Sequence, residues 1–251
     1  MGTLSVAVIT RNEASTIRRC LESVAWADEL IVVDSGSTDG TVEACRAFTS
    51  KVFVRVFDTF DVQKNFAFAQ ARADWILSID ADEVVSPALA AELREIVARG
   101  GDGCDGFVLR RENYVCGRPI RYLWGHDALV RLVRRGRGRF QGDVHEKLRV
   151  EGRVGTLRQP LLHFNSTDLR QWMAKNRQYV ELEARRRYRA GERFNPARAL
   201  LAPLHVFFFR FVTLRGYRDG RMGFVLSCLL AFFTFRLHVR LRELGWTDAA
   251  Q

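Results

Sequence analysis

The sequence predicts an α/β fold: a mostly parallel sheet flanked by helices, with a helical C-terminal extension. Three observations predict it. From Leu4 to about Val85, short β-rich runs alternate with stretches of helical periodicity, which implies a parallel sheet covered on both faces. Polar clusters follow the C-terminal ends of three of these strands, and that edge is where open α/β sheets bind ligands. Beyond residue 166 the chain turns helical, basic and then very apolar.

The elements follow in order. Leu4–Ile9 reads as a strand, and Glu13–Val24 as a helix with Ile17, Leu21 and Val24 on one face. Leu30–Val33 is an apolar strand ending in Asp34; Thr41–Phe48 is helical and Val52–Phe57 is a strand. Asp61–Ala73 reads as a helix, and Trp75–Ile79 as a buried strand ending in Asp80. From about Gly106 to Asn165 the pattern is strand-like, polar and glycine-punctuated, an antiparallel extension with loops over the same edge. Leu169–Ala190 is an arginine-rich helix.

The tail contains two runs, Ala199–Phe209 and Met222–Phe235, without Asp, Glu, Lys or Arg. Each is shorter than the roughly 20 residues a spanning helix needs. Arg210, Arg215, Arg218 and Arg221 lie between them, and Arg236, Arg240 and Arg242 follow. Arginines placed this way snorkel to phosphate headgroups while the apolar face enters lipid, so monotopic membrane contact is expected, ahead of a hairpin packed in a core or dimer interface and of true spanning.

Composition bounds the function. A hydrophobic fraction of 47% supports a real core, and the net charge of +10 implies an anionic partner: nucleic acid, an acidic membrane or a phosphate-bearing substrate. Five cysteines without a Cys-x-x-Cys pair argue against a zinc site or disulfide framework and favour a reducing compartment. No basic segment precedes the first apolar run, so a signal peptide is not expected. The late positive charge is interleaved with phenylalanines in apolar runs, which suits anionic lipid better than nucleic acid, and no nucleic-acid partner is expected.

Chemistry concentrates in Asp80-Ala81-Asp82, two carboxylates delivered by a buried strand into the ligand edge. Such hard oxygen ligands suit Mg²⁺ or Mn²⁺ completed by substrate phosphates, although an isolated Asp-x-Asp is commonly a turn or a cap. Asp34 closes its strand ahead of Ser35-Gly36-Ser37-Thr38-Asp39-Gly40, a sharp polar loop. No Gly-rich phosphate loop follows Ile9.

Thr10-Arg11-Asn12-Glu13, then Val33–Thr41, then Asp80-Ala81-Asp82 resemble, in order and spacing, family 2 glycosyltransferases of the GT-A (Rossmann-like) fold. The remainder, through Val144-His145-Glu146 and Leu162-His163-Phe164, resembles bacterial lipopolysaccharide core β-glycosyltransferases. The resemblance implies a catalytic domain over 1–166, with a nucleotide half (1–85) and an acceptor half (86–166), and a membrane-associated region over 167–251. It implies that Thr10, Asn12 and Glu13 line the nucleotide pocket, that Asp34 contacts the base, and that Lys64 lies near the diphosphate. Asp80 would hold ribose or metal, Asp82 would be the principal metal ligand, and His163 would join it on the metal or diphosphate. Of the two carboxylates Asp143 and Glu146, only one faces the site from a regular strand, and the His-Glu match selects Glu146 as catalytic base. The implied reaction is an inverting, metal-dependent transfer from a UDP-sugar to a lipid-linked saccharide, at the cytoplasmic face of the inner membrane. Arg131, Arg134, Arg135, Arg137 and Arg139 are either phosphate ligands on donor or acceptor, or a solvated basic loop.

Overall fold

A computed structural model describes residues 2–142, 146–166 and 168–249; Asp143, Val144 and His145 lie outside the described residues. The chain resolves into two compact units, Met1–Glu112 with Asp127–Phe164, and Asn113–His126 with Asn165–Gln251.

The elements are β1 (Leu4–Thr10), α1 (Ile17–Val24), β2 (Glu29–Asp34), α2 (Thr41–Arg46), β3 (Val52–Val54), α3 (Phe60–Gln70), β4 (Trp75–Asp80), β5 (Glu83–Val84), α4 (Pro87–Ala98) and β6 (Gly106–Val115). There follow β7 (Arg118–Ile120), β8 (Ala128–Arg134), β9 (Gly138–Gln141), β10 (Lys147–Val150), β11 (Val154–Thr156), β12 (Leu161–Ser166), α5 (Leu169–Arg189), α6 (Pro196–Phe208) and α7 (Gly220–Ala249).

In the first unit β3, β2, β1 and β4 pair in parallel in that order. Antiparallel β8 and β6 extend the sheet beyond β4, with a register irregularity between Phe107 and Val108. The central strands are apolar on both sides and therefore buried on both faces. One face packs Val6, Val8, Val32, Leu77 and Ile79 against α1 and α4 through Ile17, Leu21, Leu89 and Leu93. The other packs Ala7, Ile31, Val33 and Ile76 with Ala67 of α3 and with Phe140 and Leu148 of the β9–β10 hairpin. Each large side chain removed from water here contributes roughly 1.5–3 kcal/mol.

Two local departures from the sequence expectation have clear causes. Helix α1 starts at Ile17 rather than Glu13, because Glu13 forms a turn: its carbonyl accepts from the Thr16 and Ile17 N–H groups and its carboxylate from the Thr16 hydroxyl. Strand β3 stops at Val54, after which Arg55 makes one more backbone bond to Asp34 and Val56 is 82% exposed.

In the second unit Val115, Ile120, Leu123, Trp172, Leu226 and Phe233 form a core among α5, α7 and the β6–β7 turn. The Asp219 carboxylate accepts from the backbone N–H groups of Arg121, Tyr122 and Leu123 at 2.9, 3.0 and 2.9 Å. The second apolar run does not end as a helix at Phe235; α7 continues through Arg236, Arg240 and Arg242, so that Gly216–Trp246 is long and apolar enough to cross a membrane. The run Phe207-Phe208-Phe209 is divided. Phe207 packs on Phe211 and Phe224 with centroids 5.5 and 5.9 Å away, whereas Phe208 and Phe209 are 58% and 41% exposed. The arginines are divided too. Arg210 donates to the Leu123 carbonyl and Arg240 forks onto Glu181, while Arg215, Arg221 and Arg236 are exposed.

Candidate active site

The parallel registers place Thr10 beside Asp34 and Ile9 beside Asp80, so β1, β2 and β4 deliver their polar ends to one edge. The β1–α1 and β2–α2 loops clamp each other there. Asn12 sits at φ 53°, a left-handed conformation that asparagine tolerates better than most residues. Its N–H donates to Ser37 Oγ and its Oδ1 accepts from the Thr38 N–H, both at 2.8 Å. The fully buried Asp34 carboxylate accepts from the Gly36 and Ser37 N–H groups at 2.9 and 2.8 Å and from the Ser37 hydroxyl. Gly36, at φ 82°, is what lets the chain fold back over it. The Glu13 N–H donates to Thr41 Oγ1 at 2.9 Å. Thr10, Asn12, Glu13 and Asp34 are thus gathered at one corner and held before any ligand arrives.

From α3, Gln63 and Lys64 are both buried and reach this edge. Gln63 Nε2 donates to Ser35 Oγ at 3.0 Å. Among the described residues, Gln63 Oε1 and Thr10 Oγ1 are buried without a hydrogen-bond partner. Buried polar atoms are almost always paired, so an orphan is a mark of a polar site rather than of a core.

Lys64 joins two carboxylates far apart in sequence: its Nζ is 3.0 Å from Asp80 Oδ1 and 2.7 Å from Glu146 Oε1. Asn65 fixes the hairpin beside α3, its side chain donating to the Phe140 carbonyl and accepting from the Phe140 N–H, both at 2.9 Å. The other Asp80 oxygen accepts from Arg131 Nη2 at 2.8 Å. The same Arg131 nitrogen lies 2.7 Å from Glu83 Oε1, and Arg111 reaches that oxygen at 3.3 Å while forking onto Asp127 at 3.0 Å through both arms. The result is one chain of alternating charge: Asp127, Arg111, Glu83, Arg131, Asp80, Lys64, Glu146. Burial pushes the Asp80 carboxyl upward, but the charges of Arg131 and Lys64 outweigh it and hold the group well below the usual carboxylate range. Burial opposes the Arg131 charge as well, and Asp80 and Glu83 outweigh that, raising its pKa.

The short pairing of β12 with β5 sets His163 opposite Glu83. His163 Nε2 then lies 3.5 Å from Asp82 Oδ1, and the Phe164 N–H donates to the Asp82 carbonyl at 2.8 Å. Burial lowers the His163 pKa, and the Asp82 carboxylate more than compensates, raising it. The oxygen of Asp82 and the imidazole of His163 are donor types that accept Mg²⁺ or Mn²⁺. Among the described residues no three His, Cys, Asp or Glu side chains converge as a complete cage. Such a pair would therefore hold an ion together with substrate phosphates, the usual mode for Mg²⁺. Asp80 pairs with Arg131 at 2.8 Å and with Lys64 at 3.0 Å.

From sequence, Glu83 is only the end of the polar cluster Asp80-Ala81-Asp82-Glu83, with no role of its own, and Arg131 is a phosphate ligand or a loop residue. Both are buried, at 0% and 3% exposure, inside the charge chain. The signal was present: Arg131 interrupts the apolar run Leu129-Val130-Arg131-Leu132-Val133, and a charge in a buried strand requires a partner.

The sequence profile of Glycosyl transferase family 2 matches residues 5–158. The chain is 31% identical over 249 residues to the lipopolysaccharide core biosynthesis glycosyltransferase LpsC of Rhizobium meliloti, covering 92% of this chain and 89% of that one. It is 30% identical to an uncharacterized glycosyltransferase of Rickettsia bellii, over 96% of this chain and 87% of that one. A crystal structure of glucosyl-3-phosphoglycerate synthase from Mycobacterium tuberculosis with Mg²⁺ and UDP shares 24% identity at a TM-score of 0.37, covering 45% of this chain and 44% of that one, a likeness too partial to carry an argument. The matched span takes in every strand and loop of the ligand edge from β1 through β10, and the relatives extend the likeness over the tail. The chain belongs to glycosyl transferase family 2 and is a glycosyl-transfer enzyme.

Proposed function

We propose that this glycosyltransferase moves a sugar from a UDP-sugar to a lipid-linked saccharide, such as the inner core of lipopolysaccharide, by a metal-dependent inverting reaction at the cytoplasmic face of the inner membrane. One observation carries the reading. Lys64 gathers Asp80 and Glu146 into a single cluster at the sheet edge, with Asp82 and His163 adjacent in the chain and across the β5–β12 pairing.

In this reading the corner formed by Thr10, Asn12, Glu13 and Asp34 receives the nucleoside, and Lys64 sits where a diphosphate needs a cation. Asp82 and His163 would hold a divalent ion, which when bound would supply positive charge to the leaving diphosphate. Glu146 takes the proton from an acceptor hydroxyl as its oxygen bonds to the anomeric carbon and the bond to UDP breaks. Attack opposite the leaving group inverts the anomeric centre. The acceptor class draws support from the name of the Rhizobium meliloti relative. Membrane association draws support from the apolar α7, from exposed Leu200, Leu201, Leu204 and Phe208, and from exposed Arg215 and Arg221.

The test is transfer from radiolabelled UDP-sugars to intact inner-core lipopolysaccharide by the full-length protein, with Glu146→Gln alongside. The expected result is a β-linked product, with turnover in the variant lowered by roughly 10²–10⁴-fold. An α-linked product, or full activity in Glu146→Gln, would overturn the assignment.

A further inference from the structure

The hairpin β9–β10 has two unlike faces. Its register opposes Gly138 to Val150, Arg139 to Arg149, Phe140 to Leu148 and Gln141 to Lys147. Residues directly opposite in an antiparallel pair share a face, so Phe140 and Leu148 pack into the core while Arg139, Arg149, Gln141 and Lys147 form the other face. All four of these are exposed, and no acid stands among them.

Arg139 and Arg149 are like charges set directly opposite each other, an arrangement that destabilises a ladder. Among the described residues neither makes an ion pair, in a chain where Arg111, Arg131, Arg186 and Arg240 all do. Arg135, exposed on the turn after β8, joins them around one groove of about 670 Å³ between α3 and the hairpin. Glu151 is the one acid on its wall, against three arginines. Asn65, the neighbour of Lys64 in sequence and the residue that pins the hairpin to α3, also lines the groove.

We propose that this groove is an anion subsite that binds a phosphate group carried by the acceptor saccharide. Two guanidinium groups facing each other unpaired are a costly arrangement in the empty protein and a suitable one for a phosphate, whose oxygens accept forked N–H donors from both. A ligand there offsets the repulsion across the ladder, and this is what separates the groove from an ordinary solvated basic face. The groove's volume suits a phosphorylated monosaccharide. The proposal deepens the acceptor assignment made above and rests on it.

The experiment uses the full-length protein, saturated with UDP and Mn²⁺ so that the donor site is filled, at constant ionic strength. Calorimetry compares glucose 6-phosphate with glucose as probes, on the wild type and on Arg139→Gln/Arg149→Gln. The expected result is binding of glucose 6-phosphate but not glucose, weakened about tenfold or more in the variant. The variant should melt at the same temperature as the wild type or higher without probe, and show a smaller thermal shift with it. Equal binding by both proteins, or none by the wild type, overturns the proposal. A parallel flotation assay with phosphatidylglycerol vesicles separates the sources of phosphate. If the variant loses flotation and keeps glucose 6-phosphate binding, the groove holds a lipid headgroup and the saccharide subsite is overturned. A protein that binds the phosphorylated probe but no UDP leaves the subsite standing and removes the donor-site reading instead.

Discussion

Lys64 Nζ stands between Asp80 Oδ1 and Glu146 Oε1, at 3.0 and 2.7 Å, in a side chain only 4% exposed. An ammonium so buried is stable only because both carboxylates surround it. The contact ties α3, the end of β4 and the approach to β10 into one electrostatic unit. Lys64→Met should therefore lower turnover by roughly 10²–10³-fold, the cost typical of losing one pre-organised donor. Steady-state kinetics would check this beside a melting curve, and Lys64→Arg should recover part of the loss.

Arg131 holds Glu83, which is fully buried, and Asp80 together. Removing it leaves Glu83 with Arg111 and Asp80 with Lys64 as their remaining cations, whereas a buried charge left with no partner costs about 3–5 kcal/mol. Arg131→Met should lose part of that stability in urea unfolding, because Arg111 and Lys64 stay in place, with Arg131→Lys intermediate. A variant as stable as the wild type would mean that water or a rearranged partner replaces the guanidinium.

The alternation of strands and helices was readable from Leu4 to Asp80 because buried parallel strands are continuous apolar runs with polar ends. The loop residues were equally readable: Asn12, Asp34 and Asp39 are turn-forming types placed directly after or between such runs. What sequence could not show is contact made by distant pairing. Asp82 meets His163 only because the two-residue β5 pairs with β12, and Glu146 meets Lys64 only because Asn65 pins the hairpin beside α3. The bounds of the tail's charge-free runs were legible but the length of its last helix was not: arginines end an apolar run on paper, yet they are good helix formers and α7 passes through them.

Asp219 satisfies three successive backbone N–H groups with one carboxylate in the second unit. Asp219→Ala leaves those donors without their acceptor and should cost about 1–3 kcal/mol. Chemical denaturation checks the magnitude, and amide exchange at Arg121–Leu123 should accelerate more than elsewhere.

Glu29 is expected to carry part of the acid sensitivity of the first unit. Burial pushes its carboxyl upward, but the Arg72 N–H, Lys51 and the Ser5 hydroxyl outweigh this and lower its pKa to about 2 from 4.5. A folded-state pKa below the unfolded one adds stability that is fully present above the unfolded value and is lost as pH falls through the folded one. The window runs from 4.5 down to about 2. Glu29→Gln should flatten the fall in melting temperature across that window and lower stability at neutral pH.

The proposed donor site lies at the sheet edge that carries the Lys64–Asp80 and His163–Asp82 pairs. Calorimetric titration of UDP into the purified protein, with and without Mn²⁺, tests it most directly beside Asp82→Ala. The predicted result is UDP binding that requires the metal and disappears in the variant while GDP and ADP bind more weakly. UDP binding that ignores the metal and survives Asp82→Ala, or no nucleotide binding at all, would contradict it.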